Sequence, residues 1–96
     1  MVTHVVMFRL KDRSDENIRK AGEVLLSMKG RVEQLRHIEV GTDFLHSERS
    51  YDIVLITRFD SKDDLAAYQN HPYHVEVVKK HMHAVRETSA AVDYEN

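Results

Sequence analysis

The side chains able to do chemistry in this 96-residue chain are its seven histidines, four tyrosines and scattered carboxylates, because it contains no cysteine. That absence removes thiolate nucleophiles, Cys-ligated zinc and iron–sulfur clusters, and it fits a reducing compartment. The densest arrangement is Tyr68-Gln-Asn-His71-Pro72-Tyr73-His74, followed by His81 and His83. Their spacing argues against a metal site. His74 and His81 are seven apart and share a helical face, but the i, i+4 pair that zinc sites often use on one helix is missing, and His81 and His83 diverge. His71, directly before proline, has the position of a cap. Other reactive patterns are also missing: Gly22, Gly30 and Gly41 are isolated and build no phosphate loop, no serine lies in a nucleophile elbow, and Asp63 and Asp64 read as first-turn helix carboxylates. No metal and no cofactor is expected.

The elements that must position these residues can be read from periodicity. Thr3 to Leu10 is rich in β-branched and aromatic residues and reads as a first strand, ended by the charged run Lys11 to Arg13 and the capping residue Ser14. Ile18, Ala21, Leu25, Met28 and Val32 recur at three- and four-residue spacing, which predicts a helix from Asp15 to about Val32, ended near Gly30. Leu35 to Phe44 reads as a half-buried strand with a bulge or bend at Gly41. Tyr51 to Phe59 is the clearest strand. Ser61, three residues before Asp64, opens a short helix through Asn70. Pro72 ends that helix and starts another, to about His83, with Val75, Val78 and Met82 at helical spacing. Thr88 to Tyr94 is the last strand. The order β-α-β-β-α-β, with the second helical region broken at Pro72, is the ferredoxin-like α+β plan with a four-stranded antiparallel sheet, in a single domain over residues 1–96.

Both faces of that sheet are apolar. Val5 and Met7 oppose Val6 and Phe8, while Val54 and Ile56 oppose Ile53 and Leu55, so the face away from the helices needs a cover that one short chain cannot supply. A homodimer joined through the open face of the sheet is expected, with strands one and three leading. The 14 Lys and Arg are scattered among 16 Asp and Glu, giving a net charge of −2, so nucleic acid is not an expected partner. No apolar run approaches the roughly 20 residues needed to cross a bilayer, and the opening segment reads as a strand rather than a leader, so no membrane contact and a cytoplasmic location are expected.

The strings His4-Val-Val-Met-Phe-Arg-Leu-Lys, His37-Ile-Glu-Val-Gly41, Tyr51-Asp-Ile-Val-Leu, Leu65-Ala-Ala-Tyr68-Gln-Asn-His71-Pro-Tyr-His74 and Ala91-Val-Asp-Tyr94 resemble the stress-responsive dimeric A/B barrel (Dabb) family. The resemblance spans nearly the whole chain, and Tyr-x-x-His-Pro-x-His is its most diagnostic part. It implies a ferredoxin-like monomer whose sheet meets its partner's in a dimeric α+β barrel, associated with stress and holding a small hydrophobic ligand between sheet and helices. The family also includes a plant polyketide cyclase that closes its substrate by an intramolecular aldol. By that resemblance His74 is the general base, Tyr68 the hydroxyl that orients the carbonyl, and His4 a pocket residue; His71, within the same string, is carried as a second substrate contact. Some family members build larger particles, so an assembly module is the third reading.

Local physics permits those roles. With Pro72 at the first helical position, His74 falls in the first turn, where the helix dipole disfavours imidazolium and leaves the neutral base. Tyr68, three residues after Leu65, is placed to face inward with its hydroxyl at a pocket rim. The sequence departs from the cyclase at Tyr73, which is bulky where the cyclase has a small residue. It departs again in the first helix, which has no aromatic side chain to line a long alkyl pocket. The same substrate is not expected.

Overall fold

The structure is a computed structural model and describes residues 1–96. Strand β1 (Val2–Leu10) lies in the middle of the sheet, paired with β3 (Ile53–Phe59) on one side and β4 (Arg86–Glu95) on the other, and β2 (His37–Thr42) completes the order β2-β3-β1-β4. Every pairing is antiparallel. Helix α1 (Asp15–Leu26) is capped by Ser14, whose hydroxyl accepts from the Asn17 N–H, and α2 (Lys62–Gln69) by Ser61, which accepts from Asp64 N–H. After Pro72 the chain forms a π-helical turn (His74–Lys79) that runs on as α3 (Lys80–Val85). The helices cover one face of the sheet, as the ferredoxin-like order requires.

Two expectations are corrected. Helix α1 ends at Leu26 rather than near Val32, because a run of tight turns follows, including Arg31 N–H to Met28 C=O at 3.0 Å and Gly30 at φ +80°. Met28 and Val32 still reach the core through those turns, which is why their spacing mimics a longer helix. Gly41 makes no bulge: β2 and β3 stay in register from His37↔Arg58 to Thr42↔Ile53. The irregularity of the sheet lies instead between Arg9 and Leu10, against β4.

The core is built from strand residues of alternate positions and the inward stripes of the helices: Phe8, Leu10, Leu25, Leu55, Phe59 and Met82 are all buried. The opposite face carries Val5 beside Ile56 and Val92, and Met7 beside Val54 and Ala90. Met7 is 38% and Val92 61% exposed, so an apolar row crosses three strands in the open. No helix is long and apolar enough to cross a membrane.

One buried carboxylate fastens the loops at the far end of β1. Asp52 is 2% exposed and accepts from the Leu10 N–H at 2.9 Å and from Arg13 Nε at 3.0 and 3.2 Å. Removing it strands a buried N–H and leaves Arg13 with only the Ser50 carbonyl, although the half-exposed guanidinium limits that second loss. Asp52→Ala should therefore lower stability by about 2–3 kcal/mol. Urea unfolding followed by circular dichroism would show this as a lower midpoint with an unchanged slope.

Candidate functional site

His4, Tyr68 and His74 arrive at one cavity from three elements. Strand alternation puts His4 on the helix-covered face with Val6 and Phe8, and antiparallel pairing sets it opposite Asp93 of β4. The two side chains are joined: His4 Nδ1 donates to the Asp93 carboxylate. Because a carboxylate can only accept, this contact holds the proton on Nδ1 and turns Nε2 away from Asp93.

Tyr68, at the inner side of α2, is 1% exposed. Its ring lies 4.9 Å from that of Phe59 and 4.6 Å from that of His74, with His4 edge-on at 6.2 Å. The hydroxyl is fully buried and has no hydrogen-bond partner. That differs from the rim position expected from the sequence, because α2 packs its inner side directly onto β1 and β3. Burial pushes the phenol pKa far above its ordinary value. Tyr68 therefore stays an O–H donor at any physiological pH, and leaving that donor unsatisfied costs about 1–3 kcal/mol.

His74 stands on the first residue of the π-helical turn. Its Nδ1 is 3.1 Å from the Gln69 carbonyl oxygen, an atom that only accepts, so Nδ1 carries the proton and Nε2 keeps its lone pair. The pKa lies below the ordinary imidazole value. Burial is the main cause, with the charges of Lys79, His4 and His71 acting in the same direction and the Gln69 carbonyl opposing them. Burial leads the causes of this shift, and the helix-end position from which a neutral imidazole was expected is not among them. Wide turns of this kind recur at functional positions in other helices.

The cavity that these residues share measures about 180 Å³. Val6, Phe8, Leu25, Leu55, Val78 and Met82 supply its apolar lining, and Lys79, His83, Arg86 and Ser89 its outer part. An apolar cavity of about 150 Å³ accepts benzene, so this one suits a single ring with a small substituent. A larger groove of about 470 Å³ lies on the other face, between the sheet and residues 43–52, and contains none of the three. We place the candidate site in the smaller cavity because only there do His4, Tyr68 and His74 come together.

The remaining sequence candidates are elsewhere. His71 is not in the cavity lining; its Nδ1 accepts from the Tyr73 N–H at 3.1 Å and caps the turn after Pro72. Tyr73, expected as a bulky intrusion, is half-buried against the core and outside the cavity lining: its hydroxyl donates to Ser27 Oγ at 2.7 Å, and its ring lies 5.2 Å from the Arg31 guanidinium. No three His, Asp or Glu side chains come together as metal ligands. Asp93 is not singled out by the sequence, since its role depends on the β1–β4 register that only the fold supplies.

Comparison with known proteins agrees with this architecture. Residues 2–96 match the family model described as the stress responsive A/B barrel domain. The chain is 34% identical over 97 residues to a stress-response A/B barrel domain-containing protein of Arabidopsis thaliana, covering 98% of this chain and 36% of that protein. It spans less than half the length of the curated plant relatives it matches. Among solved structures, a dimeric ferredoxin-like protein of unknown function from Bacteroides fragilis is 32% identical, with a TM-score of 0.84 over 99% of this chain and 95% of that one. A hydroxynitrile lyase from Passiflora edulis shares the fold alone, at 18% identity and a TM-score of 0.82 over 97% of this chain and 90% of that one. Fold order, sheet topology and the match over residues 2–96 lead to one conclusion: this chain belongs to the stress-responsive A/B barrel domain family.

Proposed function

We propose that this chain is the subunit of a homodimer that binds a small, largely apolar carbonyl compound between sheet and helices and moves a proton on it. His74 Nε2 is the base and the Tyr68 hydroxyl holds the carbonyl oxygen. The observation that carries this reading is that His74, whose Nδ1 is taken by a carbonyl, and Tyr68, whose hydroxyl has no partner, both border the same cavity. When a proton leaves the carbon beside a carbonyl, negative charge builds on the oxygen, where the Tyr68 O–H is the donor that stabilises it. The proton passes to His74 Nε2, and the Gln69 carbonyl, already bonded to Nδ1–H, stabilises the resulting imidazolium. His4, held by Asp93, offers a further polar contact. An aldol ring closure of the polyketide-cyclase kind starts with this step, and the hydroxynitrile lyase neighbour supports the fold as a frame for an enzyme.

The reading is tested without knowing the substrate. Small aryl ketones such as acetophenone, incubated with the protein in D₂O, should exchange their α-protons faster than in buffer, as followed by NMR. Exchange at the buffer rate for every ketone tried would dismiss the proton-transfer role.

The B. fragilis neighbour, described as dimeric, supports a dimer, and we put its contact on the open sheet face because that face is apolar and uncovered. Val5, Ile56 and Val92 form the middle of that face, and a two-fold axis over them would pair the patch with itself. Ile56→Lys sets two like charges into that contact, with a desolvation cost of several kcal/mol. Light scattering should then give the monomer mass while circular dichroism stays native. A dimer of unchanged stability would place the interface elsewhere.

A further inference from the structure

The chain as a whole is net negative, at −2, yet the charged side chains lining the cavity are all basic. Lys79 and Arg86 are permanent cations there, His83 lies between them in sequence, and no carboxylate is in the lining. Neither Lys79, His83 nor Arg86 forms an ion pair or side-chain hydrogen bond, whereas Asp93, an acid on the same strand as Arg86, is engaged with His4. Lys79 and His83 are four residues apart and so stand on one side of the helix, and Arg86 opens β4 directly after it. Lys79 and His83 are exposed and Arg86 half-buried, so they ring the solvent side of a cavity whose interior is apolar.

We propose that the ligand of this cavity is an amphiphile: an apolar body of about one ring inside, and an oxyanion head group, carboxylate or phosphate, held at the mouth by Lys79 and Arg86. This rests on the cavity being the binding site, but not on its being catalytic. Lysine supplies a point charge and arginine a planar fork, a combination that suits either head group. Lys79 and His74 line the same cavity, so the head group would lie on the side of the base. The cations then orient the ligand, with the carbonyl end inward at Tyr68.

Three probes of one size separate the possibilities: phenylacetate, phenyl phosphate and neutral phenylacetamide, with dissociation constants measured by titration calorimetry on the whole protein. One or both anions should bind about tenfold tighter than the amide, as two partly solvated charge contacts would give, and the advantage should shrink in about 0.5 M salt. Whichever anion shows the advantage identifies the head-group class. Lys79→Met and Arg86→Gln should each reduce it, while Lys80→Met, whose side chain is outside the lining, should leave it unchanged. Equal affinity for amide and anions would overturn the oxyanion inference and leave the cavity reading intact. Binding of none of the three would overturn both. Equal losses in the Lys79 and Lys80 variants would reduce the effect to general surface charge and overturn the specific site.

Discussion

His74→Gln should lower the rate of α-proton exchange by about 10²- to 10⁴-fold, the range that a positioned general base contributes. Glutamine keeps a donor for the Gln69 carbonyl and nearly the volume of the imidazole, so the turn after Pro72 should hold. What disappears is the basic lone pair at Nε2. Circular dichroism and thermal midpoint should remain close to the parent, which separates loss of chemistry from loss of fold. A variant that exchanges at the parental rate would remove His74 from the mechanism, and attention would pass to His4.

Tyr68→Phe should produce the opposite pairing of effects: lower activity and higher stability. The hydroxyl is buried among Phe59, His74 and His4 without a hydrogen-bond partner, so deleting one oxygen relieves a desolvated donor and leaves the ring packing in place. The fold should gain about 1 kcal/mol, visible as a raised midpoint in urea. Exchange should fall by about 10²-fold, because the developing oxyanion loses its donor. A residue whose polar atom costs stability and gives activity is a functional residue, whereas a structural tyrosine would cost stability when truncated. A destabilised Phe variant with full exchange activity would return Tyr68 to a purely packing role.

Much of this is legible in the chain because it depends on local pattern. Period-two runs mark the strands and their order, Ser14 and Ser61 mark the helix starts, and two apolar faces on Val5–Phe8 and Ile53–Ile56 signal a surface needing a partner. The end of α1 is not legible, because Met28 and Val32 are buried by turns that happen to preserve helical spacing. For the site, the Tyr68-to-His74 string carries the two central side chains, but their convergence requires the break at Pro72 to fold one way, and nothing local fixes that. Asp93 and the Lys79–Arg86 mouth are invisible for the same reason: each gains its meaning from a register or a crossing between segments distant in sequence. The cause of His74's neutrality also lies in packing. A sequence exposes the helix end but not the burial that leads the shift.

That neutrality has a sign that can be checked. With the folded pKa below the ordinary 6.5, the unfolded chain binds more protons than the folded one between the two values. The stability that His74 allows is therefore complete above 6.5 and is lost as pH falls toward and through the folded value. The proton-transfer step should fade over the same acidic limb.

The most direct measurement is the protonation of His74 itself, by nitrogen-15 NMR of the histidine side chains across pH, with His74→Gln used to assign the signal. At neutral pH His74 should show a protonated Nδ1 and a lone pair on Nε2, and its titration midpoint should lie below 6.5. A proton on Nε2 at neutral pH, or a midpoint at or above 6.5, would contradict a base presented to the cavity.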